Sequence, residues 1–112
     1  MEIVEQQQEN HYLFKLNGRL DSNTSPDFEK KIFDAIESGQ VSLIIDCGQL
    51  DYITSAGLRV LNKTAKRLKR EQGAIVLCAM EDYVREVFEI AGFDTFLPIV
   101  ATLTDAETRI AG

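Results

Sequence analysis

Residues 51–61 read DYITSAGLRVL. Tyr52 and Ile53 are apolar, Thr54 and Ser55 carry hydroxyls, Ala56 and Gly57 are among the smallest residues available, and Leu58 leads an apolar pattern spaced at three and four. This is how a buried strand hands over to a helix, and it points to an α/β fold. The hydroxyl of Ser55 has two readings. It can cap the helix by accepting a backbone N–H, or it can belong to a small-residue surface that a partner reaches. The stretch alone leaves both open.

Upstream, VSLIID at 41–46 is a short apolar run that suits a central strand covered on both faces. Downstream, Leu58, Leu61, Ala65 and Leu68 predict a helix from Ala56 to about Glu71, ended by Gly73. AIVLCA at 74–79 predicts a second buried strand. Glu81 to Ala91 predicts a helix with Val84, Val87, Phe88 and Ala91 inward and Gly92 as its stop. FLPIV at 96–100 predicts a last short strand, which Pro98 confines to an edge. Thr104 and Glu107 have capping-box spacing and predict a final helix.

Toward the N-terminus, residues 2–7 predict an edge strand and Glu9-Asn10-His11 a turn. Residues 12–17 alternate as a half-buried strand, closed by Gly18-Arg19-Leu20-Asp21 and antiparallel to the first. Ser25 is the expected N-cap of the next helix, with Pro26 at its first position and Asp27 facing the dipole. Phe28, Ile32, Ala35 and Ile36 share one face of it, and Gly39 stops it. The chain therefore reads as one α/β domain over residues 1–112. The expected sheet is mixed and mostly parallel, with four to five strands, an antiparallel N-terminal edge strand and about four helices.

The 112 residues carry a net charge of −6, which removes the electrostatic basis for binding nucleic acid and weighs against an anionic membrane. A protein partner with a basic surface is not excluded. Cys47 and Cys78 lie in apolar runs without CxxC spacing and read as buried thiols. His11 is the only histidine, so no metal cluster is signalled and no cofactor is expected. The opening MEIVEQQQ lacks the features of a signal peptide, and no stretch is long and apolar enough for a membrane span, so the expected location is cytoplasmic.

Catalytic signals are missing. Ser55 sits where a hydrolase nucleophile would, but Ile53 stands where the elbow motif needs glycine, and His11 is remote in sequence. There is no phosphate-cradling glycine loop, and Asp46 and Asp51 read as a strand end and a turn. The chain is not expected to be an enzyme. Arg59, Lys63, Lys66 and Arg70 share one helix face, read either as solvated charge or as a docking face for an acidic partner. A phosphate on Ser55 would meet the positive end of a helix dipole and add about −1.5 to −2 charges to a neutral patch. A partner docked there would lose both shape and charge complementarity.

Three segments together resemble the STAS domains, in particular the anti-sigma factor antagonists. They are the strand VSLIIDCGQLDYI with the turn Thr54-Ser55-Ala56-Gly57-Leu58, the strand end Gly18-Arg19-Leu20-Asp21, and the late segment AIVLCAMEDYVREVFEIAGFDTFLPI. The resemblance covers nearly the whole chain. It implies a partner switch, in which the unmodified antagonist binds an anti-sigma factor that is also a GHKL-type serine kinase. Phosphorylation breaks the complex and a PP2C-type phosphatase restores it. By position, the resemblance makes Ser55 the phosphoacceptor. It places Asp21, Ser22, Asn23 and Thr24 beside that serine, and Thr54, Ala56, Gly57, Leu58 and Arg59 in the partner-binding surface. The family often has aspartate before the acceptor and a second hydroxyl after it, where this chain has Thr54 and Ala56. The alternative is a STAS module without a sigma factor, acting as a scaffold or as a cytoplasmic subunit of a lipid or anion transport system. The output of a switch stays open among transcription, secretion and a second-messenger enzyme.

Overall fold

The computed structural model describes residues 1–111. Its elements are β1 (Glu2–Gln7), β2 (Tyr12–Leu20), α1 (Ser25–Glu37), β3 (Ser42–Ile53), α2 (Ser55–Arg70), β4 (Ala74–Cys78), α3 (Asp82–Ile90), a 3₁₀ turn (Phe93–Thr95), β5 (Ile99–Val100) and α4 (Leu103–Ala111). The strands lie in the sheet in chain order, β1-β2-β3-β4-β5. β1 pairs antiparallel with β2, and every other pair is parallel. The alternation of elements and the antiparallel first strand follow the sequence reading, while the edge strand expected over 96–100 is confined to Ile99–Val100, after Pro98.

Chain-order strands constrain the helices. Three parallel crossovers of the same hand, each stepping one strand in the same direction, must lay α1, α2 and α3 on one face of the sheet. The main core forms there, with Phe28 and Ile32 of α1, Leu61 and Leu68 of α2 and Phe88 of α3 packed on Phe14, Leu43, Ile45 and Leu77. The other face carries a smaller cluster, in which Ala106 of α4 covers Leu13, Ile44, Val76 and Cys78. β3 is thus buried on both sides, as its apolar run predicts.

Some boundaries differ from the reading. The strand expected over 41–46 continues to Ile53. Its pairing with β2 shifts register between Lys15 and Asn17 and again between Gly18 and Arg19. Each shift breaks the two-residue alternation, so Asp46–Tyr52 does not look like a strand in sequence. Ser25 is not the cap of α1. Thr24 holds that place, and Ser25 is a buried first helical residue. Thr104 is likewise inside α4, and it is Thr102 Oγ1 that accepts the Asp105 N–H at 3.0 Å. After α2 the left-handed residue is Gln72, at φ 58°. Gly73 is glycine for a different reason, since a side chain there would collide with Val41. Cys47 and Cys78 are buried free thiols in the clusters on opposite faces of the sheet.

Candidate functional site

The carboxyl ends of β2 and β3 bring two loops together. Thr54 donates its N–H to the Leu20 carbonyl at 3.0 Å, which fastens the turn before α2 to the end of β2. Thr54 is the N-cap residue of α2, with extended backbone angles (φ −108°, ψ 177°) and no side-chain cap bond. Ser55 is therefore not the cap expected from sequence. It is the first helical residue, and it is exposed. The first intrahelical bond runs from the Leu58 N–H to the Thr54 carbonyl. The N–H groups ahead of it have no helical acceptor, and with the helix dipole they make this end favourable for negative charge. Thr54 Oγ1 is buried without a hydrogen-bond partner among the described residues.

The loop beside this turn is tightly organised. Asp21 Oδ1 accepts the N–H groups of Asn23 (2.9 Å) and Thr24 (3.1 Å). Thr24 Oγ1 accepts the Asp21 N–H at 2.9 Å and donates to the Arg19 carbonyl at 2.8 Å. The hydroxyl of Thr24 thus secures the loop rather than the first turn of α1. The Asn23 N–H, then Thr24 and the nearby Arg19 guanidinium, hold the Asp21 carboxyl below the usual aspartate range. Ser22 and Asn23 are exposed at the tip.

The structure divides the residues expected at the surface. Ser55 and Arg59 are exposed, and Ala56 is partly so. Leu58 is 5 % exposed and belongs to the main core, so it cannot form the docking surface assigned to it. Gly57 is also buried. A β-carbon on it would lie 2.7 Å from Leu20 Cγ and 2.8 Å from Ile53 Cγ1, so its smallness serves packing rather than access. Two surface residues outside the sequence reading complete the site. Arg19 and Tyr52 are register partners, and the Arg19 guanidinium lies 4.8 Å from the Tyr52 ring centroid. The shifts between β2 and β3 create that pairing, and no local sequence pattern announces it. His11 lies at the opposite end of β2 from this site, 4.0 Å from Glu107, and supplies no base to Ser55.

An exposed serine at a helix start, a clamped loop and an Arg–Tyr pair gather at the carboxyl ends of two parallel strands of a small α/β module. The STAS domain model matches residues 2–106, and the chain belongs to the STAS domain family. It is 42% identical over 84 residues to the putative anti-sigma factor antagonist BtrV of Bordetella bronchiseptica; the match covers 75% of this chain and 72% of BtrV. The crystal structure of a putative anti-sigma factor antagonist from Thermotoga maritima superposes with TM-score 0.93 at 18% identity, covering 98% of this chain and 95% of the other. The unphosphorylated anti-sigma factor antagonist SpoIIAA gives TM-score 0.77 at 23% identity, with 99% of both chains covered. Its phosphorylated form, from Bacillus, gives 0.76 at 22% identity, covering 97% of this chain and 99% of the other.

Proposed function

We propose that this chain is an anti-sigma factor antagonist working as a phosphorylation-controlled partner switch. Unmodified, it binds an anti-sigma factor that is also a GHKL-type serine kinase. The kinase transfers the γ-phosphoryl group of ATP to Ser55 Oγ, the complex dissociates, and a PP2C-type phosphatase hydrolyses the phosphoester.

The observation that carries the reading is the position of Ser55 as an exposed first residue of α2. A phosphate there meets unpaired N–H groups and the positive dipole end, so the domain tolerates it without unfolding. The surface effect opposes docking: the patch gains about −1.5 to −2 charges. Membership of the STAS family and the likeness to BtrV support the choice of partner class. Asp21, Ser22, Asn23, Thr24, Thr54, Ala56 and Arg59 frame Ser55 in this reading, and Arg19 and Tyr52 extend the contact face.

The test is a kinase assay with the cognate GHKL protein, followed by phosphopeptide mapping. Wild type takes one phosphate on Ser55. Ser55→Ala takes none and keeps its binding, whereas Ser55→Asp binds at least about tenfold more weakly. Phosphate mapped to Thr54, or binding indifferent to Ser55→Asp, would falsify the switch. Recovery of transport subunits in place of a kinase would favour the alternative of a STAS module serving a lipid or anion transport system.

A further inference from the structure

The second half of α2 carries a surface that the Ser55 end does not use. Six of the chain's 12 basic residues, and none of its acidic ones, lie between Arg59 and Arg70, so this segment carries +6 and the rest of the chain −12. Intramolecular acids answer only part of that charge. Lys63 pairs with Glu29 at 3.3 Å, and Arg67 pairs with Glu37 and Glu71, both at 3.2 Å. Among the described residues, Arg59, Lys66, Lys69 and Arg70 make no ion pair. All four are exposed.

Lys66 and Lys69 stand on the rim of a groove of 470 Å³ between α2 and the β4–β5 edge, whose apolar lining includes Leu68, Ile75, Phe96 and Pro98. Phe96 is 48% exposed, its ring tilted against Phe93 at 5.3 Å. Core packing has no need of a half-exposed aromatic ring beside free ammonium groups. Together they offer an apolar slot with a cationic border.

We propose that this groove is a second docking surface, which takes an acidic segment of a protein partner with one apolar side chain seated against Phe96 and its carboxylates on Lys66 and Lys69. Charge complementarity selects the occupant. An acidic segment in the groove touches the unpaired Lys66 and Lys69 alone, whereas an anionic bilayer would also face the −12 carried by the chain outside residues 59–70. The groove is open, which suits a side chain projecting from a segment laid along α2 better than an enclosed small molecule. Lys66 lies eleven residues from Ser55 along the helix, about 16 Å at 1.5 Å per residue. Beyond a Debye length of about 8 Å a phosphate at Ser55 is largely screened from it. The second surface can therefore hold a partner whether or not the first is modified, and it does not depend on how Ser55 is used.

The experiment is selection of a random peptide display library on the intact chain, with the selected peptides resynthesised and their affinities measured. Enriched peptides are expected to be acidic around a leucine or aromatic residue. Their binding should fall at least about tenfold for Lys66→Glu/Lys69→Glu and for Phe96→Ala, fall with added salt, and stay unchanged for Ser55→Asp. Amide shift changes on titration should centre on Ala65–Lys69, Gly73–Ile75 and Phe96. Circular dichroism of each variant separates lost binding from lost fold. No enrichment, enrichment of neutral or basic peptides, or equal binding to the charge-reversed variant overturns the proposal. Sedimentation of the chain with phosphatidylglycerol vesicles that the charge reversal abolishes also overturns it, in favour of a lipid surface.

Discussion

Gly57 and Leu20 are in such close contact that a β-carbon on the glycine would stand 2.7 Å from Leu20 Cγ. Ile53 closes the same space from β3, and both neighbours are fully buried. The glycine lets α2 settle onto the ends of β2 and β3, which fixes the height at which Ser55 is presented. Gly57→Ala gains about 1 kcal/mol of helix propensity but forces two packed side chains to move, at about 1–3 kcal/mol. The expected result is a net loss of up to about 2 kcal/mol in urea unfolding. Leu20→Ala in the same chain should recover about 1 kcal/mol of the clash as a coupling energy.

The order of elements was legible because each helix shows a three-four apolar period and each central strand a β-branched or leucine-rich run. The caps were not. At α1 and α2 the sequence offers adjacent hydroxyls, Thr24-Ser25 and Thr54-Ser55, and only backbone angles decide which one starts the helix. Neither threonine makes a side-chain cap, because Thr24 Oγ1 is engaged by its own loop and Thr54 Oγ1 is buried. The hydroxyl pair at this turn was legible, but the reason for the glycine after it was not, since Gly57 of α2 packs directly on Leu20 and Ile53. Thr64 could have been found: it falls on the face of Leu61 and Leu68, and its hydroxyl bonds the Val60 carbonyl at 2.8 Å.

The two hydroxyls before α2 should differ in their effect on stability. Ser55 is exposed, so Ser55→Ala changes unfolding free energy by no more than about 0.5 kcal/mol. Thr54 Oγ1 is buried and has no partner among the described residues, so Thr54→Val removes a desolvated hydroxyl at constant shape and stabilises by about 1 kcal/mol. Chemical denaturation of both variants checks the order. A destabilised Thr54→Val would mean that the hydroxyl has a partner in solution.

The Asp21 loop should loosen in acid. Its folded pKa is depressed, chiefly by the Asn23 N–H, so its contribution is complete above the ordinary aspartate value of about 3.9 and disappears as pH falls through the lower folded value. An NMR titration should show the Asn23 and Thr24 amides moving together with the Asp21 carboxyl. Asp21→Asn should abolish that common transition. Independent midpoints would remove the carboxylate from its place in the loop.

The thiols should be inert while the chain is folded. Burial pushes Cys78 up to about 12, helped by the Asp46 carboxylate, and pushes Cys47 up further. With raised folded values the neutral thiols favour folding below the free-thiol pKa of about 8.5, and this support is lost as pH rises through the folded values. At pH 8 a thiol reagent should react roughly a thousandfold more slowly than with the unfolded chain. Diamide should form no link between the two cysteines, which belong to clusters on opposite faces. A rapid reaction of one thiol in native buffer would show that its face opens.

The face that α4 covers offers the sharpest test of the fold, because one helix shields it. Ala106 has no exposed surface and packs on Leu13, Ile44, Val76 and Cys78. α4 also brings Glu107 to 4.0 Å from His11. Ala106→Glu would bury a carboxylate among Leu13, Ile44, Val76 and Cys78, whose side chains are not positively charged, and the helix would lift rather than bury the charge. The expected loss is about 3–5 kcal/mol, the range for an uncompensated buried charge, with dye binding to the uncovered leucine, isoleucine and valine. Ala106→Ser, which adds only a hydroxyl, should cost about 1–2 kcal/mol and bind no dye. If Ala106→Glu unfolds at the wild-type midpoint without binding dye, α4 does not lie on this face of the sheet.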